Sequence, residues 1–207
     1  MSSTKQKVID AASFLFFQKG FNGTSVRDIA HRASVNVSLI SYYFKSKQGL
    51  LEYAVTNYYE NYLQALEQVI QEYESLSPAK KLKKLVFVII QYKQKNHQLS
   101  CFIHRELSLD TLFVREMTIT YLAKENHLLR KIFFEVVPQT SGQIIHHKFL
   151  FMQFKGMLIT PYMMHHEWKD QVMDEYSHQL FAKRYIQTIH QWLDFVMMEY
   201  VVNQEQV

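Results

Sequence analysis

Cysteine, glycine and proline are all scarce in this chain of 207 residues. The single cysteine, Cys101, has no partner for an internal disulfide, which excludes the small disulfide-stapled folds. Five glycines and three prolines supply too few turns for a sheet protein of this length. Because 48% of the residues are hydrophobic and 20% are charged, the composition is globular rather than disordered. These shortages predict a mostly helical protein.

Long apolar runs are missing as well. The longest runs, such as Leu85 to Ile90, fall far short of the roughly 18 residues that a membrane-spanning helix needs. The first residues lack the apolar segment and the small-residue cleavage site of a signal peptide. We therefore expect no membrane association and a reducing cytoplasm as the compartment.

Positive charge is concentrated at one end of the chain. The first 50 residues carry seven basic and two acidic side chains, a net charge of +5, whereas the other 157 residues have a net charge of −1. Such asymmetry is typical of a small module that faces a polyanion. The alternative is a basic face that is merely solvated.

Helical periodicity begins at the N-terminus. Apolar residues recur at three- and four-residue steps between Thr4 and Lys19, and Gly20 follows where a helix C-cap belongs. Thr24 or Ser25 can cap a second, short helix that ends near Ala33.

Two further capping residues mark the next helices. Asn36 can cap a third helix that ends near Phe44, and Ser46 can cap a long fourth helix that reaches about Tyr73. Proline at the first helical position, after Ser77, opens a fifth helix through about Lys95. The same periodicity predicts further helices over about 98–108, 111–135, 143–160 and 175–201.

The turn from Ala33 to Asn36 joins two short helices, and a longer helix precedes them. This is the layout of a helix-turn-helix DNA-binding module, which we call the reader. Val35, Ile40 and Phe44 would anchor the second of these helices. Its outer side would then present hydroxyls and phenols to base edges and phosphates. The residues on that outer side are Ser38, Ser41, Tyr42 and Tyr43.

Other residues of the module are suited to phosphate contacts. Lys47 stands at the predicted N-terminus of the fourth helix, where backbone amides and its own charge would attract a phosphate. Thr24, Ser25 and Arg27 offer similar contacts from the second helix. The alternative is that Tyr42 and Tyr43 are packing aromatics.

The segment KGFNGTSVRDIAHRASVNVSLISYYFKSKQGLL, residues 19–51, resembles the DNA-binding segment of the TetR family of bacterial regulators. The likeness spans about residues 4–55. It implies DNA contacts at Thr24, Ser25, Ser38, Leu39, Ser41, Tyr42, Tyr43 and Lys47. Ser41 stands where the family often has Tyr, and Tyr43 where it often has His, so the bases that these two residues reach stay open. Leu39 suits only an apolar contact, such as one to a thymine methyl.

The resemblance also implies an overall organisation. Residues 1–47 would form a three-helix DNA-binding domain, and residues 48–207 a larger helical domain for regulation and dimerisation. Two protomers would pair through a four-helix bundle and bind an inverted repeat of double-stranded DNA. The best candidates for the dimer seam are the large apolar residues of the last predicted helix: Ile186, Ile189, Leu193, Val196, Met197 and Tyr200.

A narrower likeness covers two segments, residues 35–51 of the reader and residues 104–129. Together these segments resemble the forespore-capture DNA-binding proteins of spore-forming bacilli. This likeness implies association with the nucleoid, a role in chromosome positioning, and restraint of the FtsZ division ring at sporulation. A partner could dock on the charged residues Arg105, Glu106, Arg115 and Glu116. The alternative is ordinary ion pairing at these positions, worth about 0–1 kcal/mol each.

A second functional class is a transcriptional repressor that responds to a small molecule. The Met and aromatic side chains between Phe149 and Met164 could line a pocket for an apolar effector, although such a stripe is more often core or dimer interface.

Catalysis and cofactor binding are not expected. Neighbouring side chains on a helix point about 100° apart, so the pairs His146–His147 and His165–His166 are poorly placed to hold one metal ion. Cys101 and His104 lie one helical turn apart, but no carboxylate is placed to orient the histidine. Cys101 is better explained as a small buried apolar residue.

Overall fold

The computed structural model describes residues 3–106, 112–137, 144–164 and 175–204. Within these ranges the regular secondary structure is helical, which confirms the all-α fold class. In chain order the elements are α1 Thr4–Lys19, α2 Val26–Ala33, α3 Val37–Phe44, α4 Lys47–Glu72, α5 Pro78–Lys95, α6 His97–Glu106, α7 Leu112–Met117, a π-helical segment Thr118–Leu122, α8 Ala123–Val136, α9 Ile144–Met163 and α10 Glu175–Gln204.

One predicted helix is not continuous. Residues 111–135 were expected to form a single helix, but a π-helical segment separates α7 from α8. That segment begins with three β-branched residues, Thr118, Ile119 and Thr120, which are stiff at χ1 and crowd the preceding turn of an α-helix. These residues lower the α-helical propensity of the chain at the point where the π-helical segment occurs.

The described residues form two compact units. The first comprises residues 1–61 and 96–110, and it contains α1–α3, the first part of α4, and α6. In it α1 packs against both α2 and α6. The fully buried ring of Phe16 stacks on that of Phe102 at 5.4 Å between centroids. These contacts give the N-terminal helices a core of their own.

The second unit comprises residues 62–95 and 111–207. Its central element is α5, which packs against α8, α9 and α10. The apolar face of α5 is completely buried and includes Leu82, Leu85, Val86, Ile89 and Ile90. On the surface, the Lys83 ammonium forms a salt bridge of 2.5 Å with Asp194 of α10.

Charged groups also lie inside the second unit. The Lys93 ammonium is buried and donates a hydrogen bond to the Leu158 carbonyl at 3.1 Å. The Tyr62 hydroxyl donates to Oε1 of buried Glu125 at 2.6 Å. Desolvation lowers the pKa of Lys93, and the nearby charge of Glu125 partly opposes that effect.

Among the described residues, none of the helices combines the length and the hydropathy required to cross a lipid bilayer.

Candidate nucleic-acid interface

A capping box fixes the start of α2. The Ser25 hydroxyl accepts a hydrogen bond from the Asp28 amide at 3.1 Å and donates to Asp28 Oδ2 at 2.8 Å, and the Ser25 amide donates to the same carboxylate at 3.0 Å. The hydrogen bonds from the side chain and backbone of Ser25 hold the pKa of Asp28 below its usual value. Of the two cap candidates in the sequence, Ser25 is therefore the one used.

The turn between α2 and α3 is set by local hydrogen bonds. Ser34 adopts a left-handed conformation with φ 54°, and the Val35 amide donates to the Ala30 carbonyl at 3.0 Å. The Asn36 side chain then caps α3 by accepting from the Ser38 amide at 2.9 Å. Ile40 and Phe44 are buried beneath α3, and Val35 is half-buried. This anchoring leaves the other side of α3 facing outward.

The outer side of α3 presents two phenols. Tyr42 is 80% exposed and Tyr43 is 40% exposed, and the rings meet edge to face at 5.2 Å. Ser38 and Ser41 are exposed on the same helix, and Leu39 is half-buried. The alternative that the two tyrosines are packed inside the fold is therefore wrong.

Thr24 requires a correction. Its side chain is only 2% exposed, and its hydroxyl donates to the Gly20 carbonyl at 2.8 Å. The hydroxyl is thus committed to the turn between α1 and α2 and is not presented for a phosphate contact. Ser25 and Arg27, in contrast, are exposed.

Lys47 is half-buried, and its ammonium has partners within the chain. The Nζ atom donates to the carbonyl of Phe21 and to the carbonyl of Thr24, both at 2.8 Å. It also lies 4.2 Å from the centroid of the Phe21 ring. The sequence had suggested a charge that faces a phosphate, and it gave no sign of these carbonyl contacts.

Two more cations of the basic segment lie over aromatic rings. The Lys5 ammonium is 3.8 Å from the centroid of the Tyr53 ring, and the Arg32 guanidinium is 3.2 Å from that of Phe14. Cation–π contacts of this kind help to hold helices together. Lys7, Lys19, Arg27 and Lys45 are exposed.

The charged residues suggested for partner docking have different surroundings. The Arg105 guanidinium donates to the carbonyls of Phe16 and Phe17 at the end of α1, so it acts within the chain. Glu106 is half-buried, whereas Arg115 and Glu116 are exposed.

Most residues of the predicted dimer seam lie on the inner face of α10. Ile186, Ile189, Leu193 and Val196 are buried within a single chain, so they have almost no surface left for a second copy. Met197 is half-buried, and the side chain of Tyr200 lies outside the described residues. Among the side chains of α10 that the structure describes, the large apolar ones that are exposed are Phe195 and Met198, at 62% and 69%.

The remaining candidates do not form a catalytic or metal site in the described part of the chain. No three His, Cys, Asp or Glu side chains converge there in a way that could hold a metal ion. His147 is buried, and the side chains of His146, His165 and His166 lie outside the described residues. Cys101 is buried, and desolvation raises the pKa of its thiol to about 12, so the reactive thiolate is disfavoured.

Comparisons with known proteins agree with this geometry. Residues 8–54 match the model of the family described as bacterial regulatory proteins, tetR family. The protein named "Probable HTH-type transcriptional regulator YttP" from Bacillus subtilis is 38% identical over 192 residues, which cover 92% of each chain.

Solved structures match along most of the chain. A TetR-family transcriptional regulator from Bordetella parapertussis superposes with a TM-score of 0.72 at 20% identity, and the match covers 91% of this chain and 95% of that one. The regulator FadR from Bacillus subtilis, solved with stearoyl-CoA, gives a TM-score of 0.61 at 19% identity over 89% and 96% of the two chains. At these identities the structures show the fold alone.

Proposed function

The chain belongs to the TetR family of DNA-binding transcriptional regulators, and we propose that it acts as a homodimer that binds an inverted repeat through α3. The observation that carries this proposal is the outward face of α3, where exposed Tyr42 and Tyr43 stand above the buried anchors Ile40 and Phe44. A helix anchored in this way can enter a major groove and direct hydroxyl groups at base edges.

The contacts divide into two kinds. Ser38, Ser41, Tyr42 and Tyr43 lie on the helix that would enter the groove, so they are the candidates for base recognition. Ser25 and Arg27 are exposed at the start of α2 and are candidates for phosphate contacts. The Thr24 hydroxyl is left out of this set because it is buried.

The dimer is proposed to form through side chains other than those expected from the sequence. Phe149 and Met152 on α9, and Phe195 and Met198 on α10, are large apolar side chains exposed on the second unit. The Tyr185 hydroxyl joins these helices by donating to the Met157 carbonyl at 2.7 Å. Exposed apolar surface of this kind marks an interaction site, and a second copy would cover it symmetrically.

Selection of binding sites from a pool of random duplexes tests the main proposal. We expect recovery of inverted repeats whose half-sites are separated by about one helical turn, roughly 34–36 Å, or somewhat more. Recovery of sequences without two-fold symmetry would contradict the homodimeric arrangement, and the absence of any preference would contradict sequence-specific binding.

A finer role is proposed from the resemblance of residues 104–129 and the reader to the forespore-capture DNA-binding protein RefZ. In this role the DNA-bound dimer would associate with the nucleoid and restrain the FtsZ ring at sporulation. Of the four docking candidates, Arg105, Arg115 and Glu116 are exposed. The Arg105 guanidinium already donates to carbonyls of α1, so Arg115 and Glu116 are the two that we propose for the partner.

Charge reversal at Arg115 and Glu116 tests this finer role. Loss of the division phenotype with unchanged operator binding would support it, and a normal phenotype would contradict it. Mapping of genomic sites adds a second criterion, because sites around the replication origin favour chromosome positioning and sites beside promoters favour local repression.

Control by a small molecule is the second candidate. The supporting observation is the fold that this chain shares with FadR from Bacillus subtilis, which was solved in complex with stearoyl-CoA. Stearoyl-CoA is therefore the first probe. Binding should raise the melting temperature and weaken operator binding, and the absence of both effects would argue against this effector.

A further inference from the structure

Lys47 connects the two ends of the helix-turn-helix. Its ammonium donates to the carbonyls of Phe21 and Thr24, which precede α2, whereas Lys47 itself follows α3 and begins α4. The contact therefore closes a segment of the chain that contains both α2 and α3. Outside this segment, α1 and α6 pack on the same unit through separate contacts.

The groups around the ammonium account for most of its bonding capacity. A lysine ammonium has three N–H donors and no acceptor, and two of the donors are directed at carbonyl oxygens 2.8 Å away. The Phe21 ring, 4.2 Å from Nζ to its centroid, covers a further side of the charge. Little of the group is left to face a phosphate.

The position of Lys47 in α4 also favours carbonyl partners for its ammonium. A cation in the first turn of a helix is unfavourable, because the aligned peptide dipoles place partial positive charge there. The two carbonyls offset this repulsion with partial negative charge. Ser46 caps the same helix end by accepting a hydrogen bond from the Gly49 amide at 3.0 Å.

Neighbouring contacts hold the carbonyls in place. The Thr24 hydroxyl donates to the Gly20 carbonyl at 2.8 Å, and the Thr24 amide donates to the Phe21 carbonyl at 3.3 Å. Gly20 supports the bend with φ 73°, a conformation that favours glycine. The turn between α1 and α2 is thus a preformed receptor for the ammonium.

We propose that Lys47 is a positioning residue, which sets the orientation of α3 by tying the start of α4 to the turn before α2, in place of the phosphate contact that the family resemblance implies. This inference rests on the proposed DNA-binding function. It makes sequence discrimination, rather than general attraction to DNA, the property that depends on Lys47.

The two roles give different binding results. A lost phosphate contact weakens binding to all sequences about equally and lowers the slope of log affinity against log salt by about one unit. A lost positioning contact misaligns the base-reading side chains, so it reduces operator binding while binding to scrambled DNA persists. The slope measured on scrambled DNA then stays unchanged.

The experiment compares Lys47→Met with Lys45→Met in the full chain, on the selected operator and on a scrambled duplex over a range of salt concentrations. Lys45 is an exposed lysine of the same module and provides the matched control. We expect Lys47→Met to reduce the operator-to-scrambled affinity ratio by about tenfold or more, out of the ~10³–10⁷ typical of specific binders. For Lys47→Met, the slope of log affinity against log salt on scrambled DNA should stay unchanged. Lys45→Met should leave the operator-to-scrambled affinity ratio unchanged. Lys47→Arg, which keeps the charge but not the compact ammonium, should restore the ratio only in part.

A retained ratio with a slope lowered by about one unit would overturn the positioning role while leaving the proposed function intact. Absence of operator preference in the wild-type protein would overturn both.

Labelling of the wild-type protein with an amine-reactive ester decides the question if Lys47→Met does not fold. We expect Lys47 to react more slowly than Lys45 in the absence of DNA, and we expect DNA to change the labelling rate of Lys47 little. Fast labelling of Lys47 that is suppressed only by DNA would overturn the inference.

Discussion

The Arg105 guanidinium of α6 donates a hydrogen bond to the Phe16 carbonyl of α1 at 2.9 Å, and a second one to the Phe17 carbonyl at 3.3 Å. A cation at this end of α1 also meets the partial negative charge of the helix dipole. The guanidinium lies 5.7 Å from the ring of Phe102, which itself stacks on Phe16. Arg105 therefore secures the end of the helix that leads into the reader.

Replacement of Arg105 by Met should destabilise the first unit by about 1 kcal/mol, the order expected for hydrogen bonds from a charged group that is partly solvated. Urea denaturation followed by circular dichroism measures the change. Arg184→Met, at an exposed position on α10, serves as the control and should have little effect. Equal effects of the two variants would contradict the capping role of Arg105.

Asp28 should make the stability depend on pH. Its pKa is lower in the folded protein than its usual value of 3.8, so its stabilising contribution is complete above that value and is lost as the pH falls through the lowered pKa. We expect Asp28→Asn to be less stable than wild type at pH 7 and the difference to shrink as the pH approaches 3.

The background variant Ser25→Ala tests the cause of this dependence. Because Ser25 supplies the largest contributions to the shift, the effect of Asp28→Asn should be much smaller in that background. If the effect of Asp28→Asn has the same pH dependence in that background, groups other than Ser25 cause the lowered pKa of Asp28.

Tyr43→Phe should reduce sequence discrimination, because it removes the phenol oxygen and keeps the ring. Each lost base contact should cost about 1–3 kcal/mol on the operator and leave binding to scrambled DNA unchanged. Tyr53→Phe is the control, since the Tyr53 ring packs against the buried ring of Phe44 and lies beneath Lys5. A parallel loss on both duplexes would make Tyr43 a phosphate or packing residue.

Two substitutions on α10 should separate folding from dimerisation. Phe195→Glu places a charge on the exposed apolar surface and should produce folded monomers in sedimentation velocity experiments. Leu193→Ala creates a cavity in the core of a single chain and should lower the free energy of unfolding by about 2–5 kcal/mol. An intact dimer of Phe195→Glu would exclude the proposed interface.

The sequence predicts the reader well because its helices are marked by local signals. Ser25 and Asn36 cap the helices that their positions suggest, and Gly20 ends α1 as predicted. Ile40 and Phe44 lie on the buried side and Tyr42 on the exposed side, as the helical period indicates.

Signals of this kind are missing where the structure shows contacts that the sequence does not indicate. The apolar spacing of Ile189 and Leu193 identifies a buried face, but periodicity cannot tell whether the chain itself or a second copy covers that face. The carbonyl partners of Lys47 and Arg105 are backbone atoms, and every residue has such atoms, so no motif announces them. The charge pattern of the sequence shows that these cations are present, but it does not indicate what they contact.

The cation contacts of the first 50 residues affect how the regulator would search a chromosome. Lys5 and Lys47 are half-buried against a ring and against carbonyls, so five exposed cations remain to meet a duplex of arbitrary sequence: Lys7, Lys19, Arg27, Arg32 and Lys45. The proposed dimer would carry twice that number, so the time that it stays at a random stretch of genome should depend steeply on the salt concentration. Its search for a target would then change from sliding along the duplex at low salt to repeated release and recapture at higher salt.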